Sequence, residues 1–168
     1  MKKIILDKLP RILKNRKQLE RKLGIKITNR GREVFINGSP LEEYEGEKVI
    51  DALNFGFPFD AAMLIKEGYI LEIINIKEHT KRKDLKSIRA RIIGKNGKTL
   101  KTLNHLTGCY FELKDNEVGI IGGPEYISRA NEVIISLIKG TKTSNVYAFL
   151  EKHKPKPIID LGLKDSFK

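Results

Sequence analysis

The stretch Arg89–Leu100, RARIIGKNGKTL, sets two glycines around a lysine and an asparagine and follows them with Lys98-Thr99. Such a loop suits phosphate: the missing side chains let backbone amides approach an anion, and the start of a following helix adds its positive end. Two kinds of phosphate compete for it. A mononucleotide loop of the P-loop type needs Gly-x-x-x-x-Gly-Lys-Ser/Thr after a buried strand. Gly97-Lys98-Thr99 satisfies the end of that pattern, but its first glycine would fall on Ile92. The preceding segment is basic, with Leu85, Ile88 and Ile92 at helical spacing, so it is not a buried strand. The other reading is helix, Gly-x-x-Gly, helix, closing on a nucleic-acid strand. Lys95 and Asn96 then project from the loop tip, and Arg89, Arg91, Lys98 and Lys101 surround it with charge for several phosphates.

Working outward, YILEIINIK (Tyr69–Lys77) alternates as a strand and HTKRKDLK leads into the first helix. After the glycine loop, Leu100, Leu103 and Leu106 mark a second helix that stops at Gly108. CYFEL (Cys109–Leu113) and EVGIIG (Glu117–Gly122) form a hairpin across a KDN turn. A longer helix, with Pro124 near its first turn, carries Ile127, Ala130, Ile134, Leu137 and Ile138 and ends at Gly140. A further helix, SNVYAFLEKH, precedes a proline-broken tail.

Charge points the same way. The chain has a formal net charge of +12, and Lys77–Lys101 holds ten basic residues against Glu78 and Asp84. A one-sided excess of this kind calls for a polyanionic partner. The single Cys109 excludes an internal disulfide and a cysteine metal cluster, and its apolar setting reads as a buried thiol. MKKIILDKLP is too short and interrupted for a signal peptide, and no run reaches membrane-spanning length, so a cytoplasmic protein is expected. One glutamine and abundant Ile and Lys hint at a heat-adapted source.

The chain also repeats itself. REVFINGSP (Arg32–Pro40) lies on NEVGIIGGP (Asn116–Pro124), Gly24 on Gly108, Leu53 on Leu137 and Gly56 on Gly140. Upstream, ILKNRKQL (Ile12–Leu19) lies on IGKNGKTL (Ile93–Leu100), with Leu13 and Arg16 in place of Gly94 and Gly97. The expectation is an α+β chain of two tandem modules. Residues 1–68 form the copy without the glycine pair, 69–152 the copy with it, and 153–168 a tail. The first copy, nearly neutral, is expected to pack or dock without a nucleic-acid clamp of its own. Its FGFPFDAAML (Phe55–Leu64) is expected in a core or in the seam between modules.

The glycine loop and the element order around it resemble a KH domain of the type I order, β-α-α-β-β-α. Both copies are then KH-like modules, each a three-stranded sheet packed by helices, with extra C-terminal helices. That resemblance implies a clamp on about four nucleotides of single-stranded nucleic acid. It makes Gly94, Lys95, Asn96 and Gly97 the loop and Ile92 and Ile93 the apolar positions before it. Leu100 and the Cys109–Leu113 strand supply groove or core. Whether Tyr110 or Phe111 meets a base stays open, with core expected for both. KRKDLKSIRARIIGKNGKT, VGIIGGPEYISRANEVI and SNVYAFLE together resemble one family, the archaeal and eukaryotic small-subunit ribosome-assembly KH proteins that partner the Nob endonuclease. The resemblance implies binding near the 3′ end of small-subunit precursor rRNA, and association with the Nob endonuclease and the alpha subunit of initiation factor two.

His79, His105 and His153 have neither metal-ligand spacing nor a nucleophile partner, and the acidic residues are scattered. A binding protein without catalysis, metal or cofactor is therefore expected. The competing readings are an RNA-binding subunit of another RNA-processing or degrading complex, and an adaptor for a translation initiation factor.

Overall fold

In a computed structural model, which describes residues 1–153, the first half runs β1 (Lys2–Ile5), α1 (Leu9–Lys14), α2 (Arg16–Leu23), β2 (Lys26–Arg30), β3 (Glu33–Asn37) and α3 (Pro40–Phe55). A connector containing α4 (Phe59–Met63) leads into the second half. There β4 (Ile70–Asn75), α5 (Leu85–Ile93), α6 (Lys98–Thr107), β5 (Tyr110–Lys114), β6 (Glu117–Gly122) and α7 (Ile127–Lys139) follow the same order, and α8 (Thr143–Lys152) is added. All but the first residue of the expected tail, 153–168, lies outside the described residues.

Each half builds a three-stranded antiparallel sheet with its last strand in the centre, β1-β3-β2 and β4-β6-β5. Alternation decides which face is buried. Ile27, Val34 and Ile36 go inward in the first sheet; Ile74, Phe111, Val118 and Ile120 do so in the second. Helices cover those faces: α2 and α3 through Leu19, Leu23, Val49, Ile50 and Leu53, and α5, α6 and α7 through Ile88, Ile92, Leu103, Ile134 and Leu137. Gly24 and Gly108 end α2 and α6 alike, each left-handed at φ 70° and 69° and each donating its amide one turn back, to the Glu20 and Asn104 carbonyls. A side chain at either position would be strained, which is why glycine stands at both.

The longest helix is fixed at its start by a reciprocal cap. The Glu42 amide donates to Ser39 Oγ at 3.4 Å, and the Ser39 amide to Glu42 Oε2 at 2.8 Å. Ser39→Ala should cost about 1 kcal/mol, read as a lowered midpoint in urea unfolding at unchanged slope. The start of α7 differs. The Gly123 carbonyl accepts from the Tyr126 and Ile127 amides at 3.0 Å, so Pro124 lies in a turn that leads directly into the helix, near its start as the sequence suggested.

The two halves are welded back to face. Phe55 and Phe57 stack with ring centroids 5.8 Å apart and lie on the outer face of the second sheet. Gly119 makes room for them: a Cβ there would sit 2.7 Å from the Phe55 ring and 2.9 Å from that of Phe57. Ile121, on the same face, joins the core of the first half, with Tyr69 and Leu71 packed against it. At the rim Lys114 Nζ pairs with Asp7 Oδ2 at 2.9 Å. FGFPF is thus a seam, built where one sheet has a glycine in place of a side chain.

Candidate nucleic-acid interface

The chain passes from α5 to α6 through a turn that ordinary residues resist. Gly94 stands at φ 75°, Asn96 at 56° and Gly97 at 73°, with a single 3-10 turn over Lys95–Gly97. Positive φ is open to glycine and tolerated by asparagine. The Gly97 amide donates to the Gly94 carbonyl at 3.2 Å and closes the loop.

The two glycines do different things. A Cβ on Gly94 would come within 2.7 Å of the Thr99 amide nitrogen and collide with the Thr99 side chain, which is itself buried. Gly94 is therefore required by packing. Around Gly97 nothing lies within 4 Å of where a Cβ would be, so that face of the loop is open to a ligand. The first half has no such feature. There α1 passes to α2 through Asn15 at φ −101°, with no positive φ between Ile12 and Arg16, and Arg16 is paired to Glu20.

Beside the loop, α6 and β5 enclose a groove of about 370 Å³ lined by Gly97, Leu100, Lys101, Asn104, Tyr110 and Phe111. β5 is an edge strand, paired only to β6 among the described residues, so its other edge is unpaired. Asn104 Nδ2 donates to the Cys109 carbonyl at 2.7 Å and holds the strand to the helix. Cys109 is buried, and burial pushes its thiol up, away from reactivity. The far wall comes from the first half, through Phe57 and Pro58. Glu112 also lines the groove; partial burial raises its carboxyl pKa against the opposing pull of Arg11 and Lys8.

The expected site residues divide in space. Lys95, Asn96, Lys98 and Lys101 are exposed around the loop, and Ile93 is 37% exposed beside them. Ile92 is fully buried in the core and supports the loop from beneath, with no surface for a strand. Arg91 points the other way: its guanidinium donates to the Leu137 and Thr141 carbonyls and caps the end of α7. Arg89 donates to the Asp115 carbonyl and Asn116 Oδ1, both at 3.2 Å, at the β5–β6 turn. The open question over β5 resolves into two roles. Phe111 is core, and Tyr110 is 39% exposed at the groove, so it is not the core residue expected. Phe57 and Pro58 were not foreseen as groove wall, because no local pattern reports what a segment about 40 residues away will contribute.

A family model for the second KH domain of Pno1 proteins, described as a eukaryotic-type KH domain (KH-domain type I), matches residues 70–155. A KH domain-containing protein of Methanocaldococcus jannaschii is 30% identical over 149 residues, 84% of this chain and 66% of its own length. The pre-rRNA-processing protein pno1 of Aspergillus oryzae is 31% identical over 113 residues, 64% of this chain and 44% of that protein. The chain thus spans between about two fifths and two thirds of these curated relatives' length. Among solved structures, the a/eIF2alpha-aDim2p-rRNA complex from Pyrococcus horikoshii contains a chain similar at TM-score 0.82 and 28% identity, over 91% of this chain and 93% of that one. The loop Gly94–Gly97, the groove and the edge strand all fall inside the matched residues, and the chain belongs to the Pno1-type family of eukaryotic-type (type I) KH-domain proteins.

Proposed function

We propose that this chain binds single-stranded RNA in small-subunit ribosome assembly, near the 3′ end of the small-subunit rRNA, and does so without catalysis in the cytoplasm. The observation that carries the reading is the open left-handed loop at Gly97 beside an apolar groove, inside the densest run of positive charge. In that arrangement the loop amides and Lys95, Lys98 and Lys101 take the phosphates, while Ile93, Leu100 and Tyr110 present apolar surface to bases. Naming the RNA rests on the relatives: a pre-rRNA-processing protein is similar over 113 residues, and a chain of similar fold stands in a complex with rRNA and a/eIF2alpha. The alpha subunit of initiation factor two and the Nob endonuclease are the protein partners this reading assigns.

Both halves are KH-type modules that arose by duplication, with boundaries at 1–68 and 69–152, and they divide the work. The common strand order, the paired Gly24 and Gly108 caps and the matching buried Val34 and Val118 support this. The first module keeps the scaffold and lacks the clamp, serving as the support on which the second is mounted.

Titration of a labelled single strand at several salt concentrations tests the binding. Lys95→Ala with Lys98→Ala should lower the slope of log affinity on log salt by about 1.4, since each single-strand phosphate contact accounts for roughly 0.7. A slope unchanged by the double substitution places the phosphates elsewhere.

A further inference from the structure

A basic depression lies outside the groove, at the start of α5. An open space of about 570 Å³ is lined by Lys77, Arg82, Lys83, Lys86 and Arg89, with Asp84 the one carboxylate on its wall. The wall is built rather than accidental. Asn116 anchors it from both sides, its carbonyl accepting from the Ile76 amide at 2.9 Å and its side chain from Arg89. Thr80 Oγ1 accepts from the Arg82 amide at 3.2 Å, and Asp84 Oδ1 from the Ser87 amide at 3.1 Å, which fixes the chain between β4 and α5.

None of these five cations has an acidic partner among the described residues, whereas each of the five ion pairs found there draws on the first half. Bringing like charges together without counterions raises the energy of the unbound state, and a polyanion relieves it. The lining is polar apart from Leu85 and contains no aromatic residue, so it offers neither a stacking platform for bases nor the apolar anchors of a protein interface. α5, nine residues and about 13 Å long, joins the cavity at its start to the Gly94–Gly97 loop at its end.

We infer that this cavity is a second phosphate site, which holds the sugar-phosphate backbone of the same RNA strand outside the segment held by the groove. The inference rests on the RNA-binding reading above and extends it from about four nucleotides to a longer footprint.

The full chain carrying Arg82→Ala, Lys83→Ala and Lys86→Ala, none of whose side chains makes a hydrogen bond in the described residues, tests it. Single strands matching the 3′ end of small-subunit rRNA, of about five and about fifteen nucleotides, serve as probes. Expected is wild-type affinity for the short strand, roughly 100-fold weaker binding of the long one at low salt, and a salt slope smaller by about two. Undiminished binding of the long strand overturns the site and leaves the cavity to an acidic protein surface. Equal losses for both strands also overturn it, because the residues then act on the groove itself. If the wild-type chain binds neither strand, the RNA reading fails; if it binds both equally, only this site does.

Discussion

Gly97→Asp is expected to weaken single-strand RNA binding by roughly 100-fold or more while the chain stays folded. In the proposed clamp, a carboxylate at this position enters the open space assigned to phosphate, and would remove two charge-assisted hydrogen bonds worth about 1.5–3 kcal/mol each. The cost to folding is small. Nothing lies within 4 Å of the new Cβ, and Asp at φ 73° adds strain of about 1 kcal/mol. Gly94→Asp is a different experiment. Its side chain collides with Thr99 and the Thr99 backbone, so binding and local stability fall together. Changing both glycines at once confounds the two effects; fluorescence anisotropy and thermal unfolding on the single variants separate them. A Gly97→Asp chain that folds and still binds with wild-type affinity contradicts the clamp.

The second large effect is on stability. Phe57 is fully buried and the largest of the fully buried side chains, set between the first-half core and Gly119 of the second sheet. Phe57→Ala should cost about 3–5 kcal/mol through lost burial and a residual cavity. That corresponds to a fall of roughly 10 °C in melting temperature for a chain of this size. Because the same residue walls the groove, RNA affinity should fall as well, even at temperatures where the variant is folded. A melting temperature within about 2 °C of wild type would show that the seam carries little of the stability.

Much of this was legible in the order of residues, for identifiable reasons. Loops that need positive φ advertise themselves through glycine, so Gly94, Gly97, Gly24 and Gly108 could be placed from sequence, and Leu13 and Arg16 read as a first-half turn without positive φ. Strand alternation located the sheets, and Phe55–Leu64 could be assigned to a core or a seam, between which only the fold decides. What stayed hidden depends on contacts far along the chain. Arg89 and Arg91 share a helix with the loop, and only the fold shows that Arg91 turns to the end of α7, 46 residues away, and Arg89 to the β5–β6 turn. Tyr110 and Phe111 are adjacent aromatics in a strand. The pleat separates them, but which face is core depends on the register with β6, Tyr110 against Ile121 and Phe111 against Ile120. The groove wall at Phe57 and Pro58 comes from the first half of the chain and has no local signature.

The most direct measurement is amide NMR of the full chain titrated with a short single strand from the 3′ end of small-subunit rRNA. Shifts should concentrate at Gly94–Lys98 and along Tyr110–Glu112, with the corresponding first-half segment Leu13–Arg16 unmoved. Saturable binding that leaves the Gly94–Lys98 amides unshifted, or that moves Leu13–Arg16 instead, would contradict the proposed clamp in the second half of the chain.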